Sequence, residues 1–188
     1  TRQLTPSVKG VNKLKKNFTL FIILNCIFLM FSYNVKAFSS DYINTTVFRD
    51  EGEIVQIFNT SKGNIYINST DIDLMAKVVF GESRGEPYEG KVAVASVILN
   101  RVYTPGFPKS IREVILQPSA FSCVINNTVQ GTPDESCYNA VWDALKGYDP
   151  TNNALFFYNP KISTCDWMSN INKSNIKSIG NHVFFIAK

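Results

Sequence analysis

Residues 91–102 read KVAVASVILNRV. Drawn as a helix, Val92, Ala95, Ser96 and Leu99 line one side, and Ala93, Val94, Val97 and Ile98 crowd the others, so no broad polar face is left for water. A helix that is apolar nearly all round must be enclosed by other elements. The chain is therefore read as a globular domain assembled around this segment. Pro87, a favoured first helical residue, opens it, and it runs to about residue 102. A second helix precedes it. Ser69, Thr70 and Asp71 are cap types, and Leu74, Val78 and Val79 recur on one face with Ile72 and Met75 close by. Gly81 and Gly85 mark its end. The two helices are joined by the polar turn GESRGEP at 81–87.

Charge adds a boundary. The chain has 19 Lys and Arg against 15 Asp and Glu, a formal net charge of +4. Six of the basic residues and none of the acidic ones lie in 1–37, which leaves 13 against 15 beyond it. The body is nearly neutral and carries no basic footprint for nucleic acid. The early bias belongs to a secretory signal, read over 1–37: basic residues, the apolar core FTLFIILNCIFLMF at 18–31, then Val35 and Ala37 as the small residues before cleavage. An uncleaved N-terminal anchor is the alternative, and would be the chain's one attachment to a membrane. The context of Cys26 does not suit a lipid anchor. Either way the body is exported, to the wall or the outer face of the membrane. Beyond the signal lie Cys123, Cys137 and Cys165, an odd number with no spacing that selects a disulfide.

Residues 38–70 read as a linker or a small β-hairpin, with β-type runs at 54–58 and 64–67 split by NTSKG. Residues 71–188 form the main domain. After a Pro- and Gly-containing loop at 103–109, Ser110 caps a short helix to residue 116. Residues 117–132 form an irregular polar loop of the kind that carries function. A helix follows over 133–147, with Thr132 as cap and Gly147 as terminator. A short strand at 154–158, a loop at 159–177 carrying Trp167 and a terminal strand at 181–187 complete an α+β domain, mainly helical with a small sheet.

The chemistry narrows by exclusion. The chain has one histidine, His182, and neither HExxH nor any cluster of Cys and His, so no metal site and no cofactor are expected. There is no P-loop, and GESRG is not a nucleophile elbow. Glu82, where an apolar helix opens into a polar turn, can act as a general acid. Breaking a glycosidic bond requires a carboxylic acid to protonate the leaving oxygen, and partial burial keeps that proton in place. Ser83 and Arg84 can orient Glu82 or bind substrate, although Arg84 must point elsewhere for the acid role. Glu82 as a merely solvated helix end stays open.

Two-carboxylate hydrolysis needs a partner, and Glu86 and Glu89 are the nearest. The break at Gly85 and Pro87 leaves a shared face unassured, and Glu86 reads as a cap-like residue. A single acid suffices when the sugar's own 6-hydroxyl is the nucleophile, giving a 1,6-anhydro product. A Cys123 nucleophile with His182 as its base is the rival, against a reading of both as packing residues. Trp167, an aromatic with a polar handle among Asn159, Lys161, Thr164 and Asp166, suits a sugar cleft or simple lid packing. Trp142, on a regular helical face, is read as core.

Over residues 71–188 the chain resembles the catalytic domain of the SleB/CwlJ family of spore cell-wall hydrolases. The resemblance rests on the blocks MAKVVFGESRGEPYEGKVAVASVILNRV, IREVILQPSAFSCV, ALFFYNPKISTCDW and IGNHVFF. It implies a lysozyme-like or lytic-transglycosylase-like fold, cleavage of spore-cortex peptidoglycan glycan during germination, and Glu82 as the acid/base. It implies that Ser83 pairs with Glu82 as in other lytic transglycosylases, and that Gln117, Phe121, Ser122, Asn159, Trp167 and His182 shape the cleft. Full SleB proteins carry a separate peptidoglycan-binding domain between signal and catalytic domain, and residues 38–70 are too few for one. Hydrolysis of vegetative wall by a muramidase or glucosaminidase, and a non-catalytic wall-binding module, remain alternatives.

Overall fold

The computed structural model describes residues 46–50, 53–60 and 62–188. The signal sequence read at 1–37, with its cleavage point, lies outside the described residues. Strands β1 (Thr46–Asp50), β2 (Glu53–Thr60) and β3 (Gly63–Ile67) form an antiparallel meander. Phe58 pairs with Ile65 across β2 and β3. Phe58, Ile65 and Ile67 are buried in the same core as the helices, so the segment packs on the domain rather than tethering it.

Helix α1 spans Ser69–Glu82. Its cap is Asn68, not one of the three residues that follow. The Asn68 side chain accepts from the Asp71 amide at 2.8 Å, and the Asp71 carboxylate accepts from the Asn68 amide at 3.3 Å. This reciprocal capping box satisfies two amides that the first turn leaves open. The helix runs through Gly81 and ends on Glu82.

Helix α2 spans Tyr88–Tyr103, with Pro87 in extended backbone at the capping position rather than inside the first turn. Every residue from Val92 to Val102 is buried, as its apolar circumference requires. Helix α3 (Ile111–Ile115) is capped by Ser110, and α4 (Glu135–Leu145) by Asp134 rather than Thr132. The Asp134 carboxylate accepts from the Cys137 amide at 2.9 Å, which places Pro133 before the helix. Helices α1, α3 and α4 each contact α2. Trp142 on α4 is partly buried and tilts against Phe58, with ring centroids 6.1 Å apart.

The loop at 117–132 contains a two-residue hairpin, β4 (Val124–Ile125) with β5 (Thr128–Val129). Asn126 and Asn127 form its turn at φ 50° and 58°. Such a turn needs two residues that accept left-handed backbone, and Asn does. The third sheet has the order β6-β8-β7, from β6 (Phe156–Tyr158), β7 (Lys173–Ile179) and β8 (His182–Ala187). The stretch read as a loop at 159–177 is more ordered than its composition suggests. It holds the short helix α5 (Asp166–Asn170) and most of β7.

Candidate functional site

A cleft of about 1000 Å³ opens where the end of α1, the turn after it, the Ser122 loop, β6 with its following segment, and the start of β8 meet. Glu82 and Glu86 are the carboxylates among its described lining residues. A smaller cavity of about 450 Å³ lies elsewhere, between Lys62, Ile65, Leu99 and Leu145. Its one acid, Asp149, accepts from the side chains of Asn100 and Thr151 and the amides of Thr151 and Asn153, and is spent on structure.

Glu82 is half-buried, the last residue of α1. Its Oε1 accepts from the Cys123 amide at 2.9 Å and the Ser122 hydroxyl at 3.0 Å. Both donors engage one oxygen, which fixes the carboxyl plane and leaves Oε2 for chemistry. The approach of this loop depends on Gly81, where a Cβ would stand 2.5 Å from the Cβ of Cys123. Arg84 lines the cleft with its guanidinium carbon 5.8 Å from the Phe80 ring centroid, and no ion pair joins it to Glu82 among the described residues.

Glu86 is more than the cap-like residue that its place before Pro87 suggests. It lines the same cleft, and both its oxygens are held from far along the chain. Oε2 accepts from the Asn181 amide at 2.8 Å, and Oε1 accepts from the Asn181 side-chain amide at 3.1 Å. Lys161 donates to the Asn181 side-chain oxygen at 3.1 Å. Burial raises the Glu86 pKa, but the two Asn181 bonds, with the fields of His182 and Lys161, more than offset this and leave it below the ordinary value. Gly180 makes the turn possible, since its φ is 59° and a Cβ there would fall 2.0 Å from Glu86 Oε2. Glu89 is exposed in the first turn of α2.

Of the residues singled out from the sequence, Glu82, Ser122, Asn159 and His182 come together in the cleft wall. Four others do not. Ser83 is fully buried, and its hydroxyl donates to the Val79 carbonyl, so it cannot touch a substrate. Phe121 is buried beneath the Arg101 guanidinium, 4.9 Å from its ring centroid. Gln117 is half-buried at the end of the α3 turn, and its carbonyl accepts from the Ala120 amide at 3.1 Å. Trp167 lies on α5, 48% exposed, with its ring edge-on to Phe156 at 5.5 Å, outside the cleft wall.

The surroundings of Cys123 oppose the cysteine alternative. The Cys123 thiol is pushed up to about 12, by burial first and then by the charge of the neighbouring Glu82. A nucleophile needs the thiolate, and the neighbouring Glu82 carboxylate disfavours a second negative charge there. All three described cysteines are free. No group of His, Cys, Asp and Glu able to hold a metal ion occurs among the described residues.

The sequence reading missed Arg101. It is 5% exposed inside a cage of Phe107, Phe121 and Phe156, and its Nε donates to the Leu155 carbonyl at 2.8 Å. Burial lowers its pKa to about 10 against the opposing pull of Glu82, so it stays cationic at neutral pH. The signal was present: an arginine on a helix otherwise apolar all round is a buried charge.

Known proteins resemble this chain in sequence and fold. The Cell Wall Hydrolase family model matches residues 85–185. The chain is 49% identical over 117 residues to the spore cortex-lytic enzyme of Bacillus cereus, covering 62% of this chain and 44% of that one. It is 44% identical over 135 residues to the enzyme of the same description from Halalkalibacterium halodurans, covering 72% and 39%. Among solved structures it is similar to the catalytic domain of the germination-specific lytic transglycosylase SleB from Bacillus anthracis, with TM-score 0.59, 47% identity, and coverage of 64% of this chain and 97% of that one. The chain thus spans less than half the length of these curated relatives.

Proposed function

Because the chain belongs to the cell wall hydrolase family, we propose that it cleaves peptidoglycan glycan strands as a lytic transglycosylase, with Glu82 as its single acid and base. The observation that carries this is the unequal use of two carboxylates in one cleft. Glu82 is anchored through Oε1 alone, while both oxygens of Glu86 are occupied by Asn181. A second carboxylate that activates water must be free to accept its proton. Glu86 acts instead as a clamp.

The steps balance with one group. Glu82 gives the proton on Oε2 to the glycosidic oxygen as the bond from the anomeric carbon to that oxygen breaks, and the ring gains oxocarbenium character. The carboxylate then takes the proton of the sugar's own 6-hydroxyl as that oxygen bonds to the anomeric carbon. A 1,6-anhydro end forms, no water is consumed, and Glu82 is reprotonated. Ser122 and the Cys123 amide hold Oε1 throughout, and Arg101 offsets the charge while Glu82 is ionised. Asn159 and the remaining cleft wall seat the strand.

Spore-cortex peptidoglycan is the substrate that the similarity to the spore cortex-lytic enzymes and to the germination-specific transglycosylase supports. The proposal includes export through the segment read at 1–37. Mass spectrometry of purified cortex digested in ¹⁸O-water tests it. Anhydro ends without ¹⁸O are expected. Reducing ends carrying ¹⁸O would overturn it in favour of hydrolysis with Glu86 as second carboxylate, a reading that its place in the cleft and its lowered pKa keep specific.

A further inference from the structure

His182 opens β8 beside the clamp residue Asn181. It is 9% exposed, and its ring lies edge-on to the stacked pair Phe157 and Phe184, at 5.4 and 6.1 Å between centroids. Its Nδ1 is the buried side-chain nitrogen or oxygen that has no hydrogen-bond partner among the described residues. The residue nevertheless lines the cleft, so it meets the cleft through the rest of its ring. Burial lowers its pKa from the ordinary 6.5, against the pull of Glu86 and Glu82. The neutral ring has one proton for two nitrogens. A buried N–H without an acceptor is rarer in folded proteins than an under-used acceptor. Nδ1 is therefore the bare nitrogen, and Nε2 carries the proton toward the cleft.

The cleft wall holds donors that can turn, on Arg84, Ser122, Asn159, Ser163 and Thr164, and His182 adds one held in place by its aromatic neighbours. Sugar hydroxyls both donate and accept, so they pair readily with the donors that can turn. A donor that cannot turn suits a group that only accepts. At His182 the field of Glu86 disfavours an anionic acceptor, and the strong neutral acceptor of a glycan strand that does not also donate through the same atom is the carbonyl of an N-acetyl substituent. We propose that His182, through Nε2–H, is a specificity-determining residue that binds the acetamido carbonyl of an N-acetylated sugar in the cleft. This rests on the glycan-cleaving reading and adds a substituent preference to it.

The test compares peptide-free N-acetylated glycan strands with the same strands chemically de-N-acetylated. The wild-type chain is expected to show a KM about tenfold lower on acetylated strands, the size of one well-placed hydrogen bond. His182→Phe, whose ring can keep the edge-on contacts with Phe157 and Phe184, should abolish the preference through KM with kcat little changed. His182→Gln, whose amide reaches toward the place of Nε2, should keep it, and the shorter His182→Asn should not. Melting curves check that each variant folds. Absence of a preference in wild type, or its survival in His182→Phe, overturns the assignment, and so does equal loss in His182→Gln and His182→Asn. If wild type cleaves neither strand, it is the glycan-cleaving reading that falls.

Discussion

Gly81 and Cys123 are 42 positions apart in sequence, yet a Cβ on Gly81 would lie 2.5 Å from that of Cys123. The last turn of α1 and the Ser122 loop are pressed together, and the product of that approach is the 2.9 Å bond from the Cys123 amide to Glu82. Alanine is favoured over glycine inside a helix by about 1 kcal/mol, so Gly81→Ala alone would stabilise α1 were the loop not there. We expect Gly81→Ala to lower kcat at least tenfold with little change in Tm, because the loop moves and its donors leave Oε1. The contact is with Cβ, so Cys123→Gly in the same chain should restore much of the rate, while Cys123→Ala should not. Unchanged turnover in Gly81→Ala would refute the coupling.

Glu82→Gln keeps an acceptor for Ser122 and the Cys123 amide while removing the transferable proton. General acid–base groups contribute about 10²–10⁴ in rate. The variant should release anhydro ends about a thousandfold more slowly, with wild-type circular dichroism and Tm. Clearance of purified cortex at the wild-type rate would show that another group is the acid.

How far these features could be read from the sequence differs by their range. Helix α2 was legible because burial on every side leaves an unbroken apolar pattern. Glu82 was legible as a carboxylate at the seam of two helices, with much of its meaning supplied by the family blocks around it. Caps were misplaced by one to three residues, because Ser69, Thr70 and Thr132 are as good in type as Asn68 and Asp134, and only the reciprocal geometry chooses. Glu86 was misread because its partner, Asn181, is 95 positions away and adjacent only through the β7–β8 hairpin. Ser83 was misread because its neighbour Glu82 faces the cleft, while its own hydroxyl turns back into the helix.

The clamp predicts an acid-side signature. The folded pKa of Glu86 lies below its ordinary 4.5. A depressed carboxylate stabilises the fold fully above its unfolded value, and that contribution is lost as pH falls through the folded value. The Tm difference between wild type and Glu86→Gln should therefore be constant above about pH 5.5 and shrink below 4.5. Its activity at neutral pH should fall far less than that of Glu82→Gln. A Tm difference that does not vary down to pH 3 would contradict the clamp.

Arg101 offers the last test, because stability and catalysis pull its replacement in opposite directions. Arg101 is 5% exposed, and no carboxylate lies within salt-bridge distance of its guanidinium among the described residues. Three aromatic rings and one carbonyl hold it. Burying a charge so sparingly paired costs several kcal/mol, and apolar residues of similar volume often replace such groups without loss. Arg101→Met should keep or raise Tm. Its kcat should fall about tenfold, because Glu82 loses the cation that offsets its charge once its proton is given away. Arg101→Lys, which keeps the charge but not the planar fork, should recover part of that rate. Wild-type kcat in Arg101→Met would reduce Arg101 to a packing residue for Phe121 and the loop that carries Ser122.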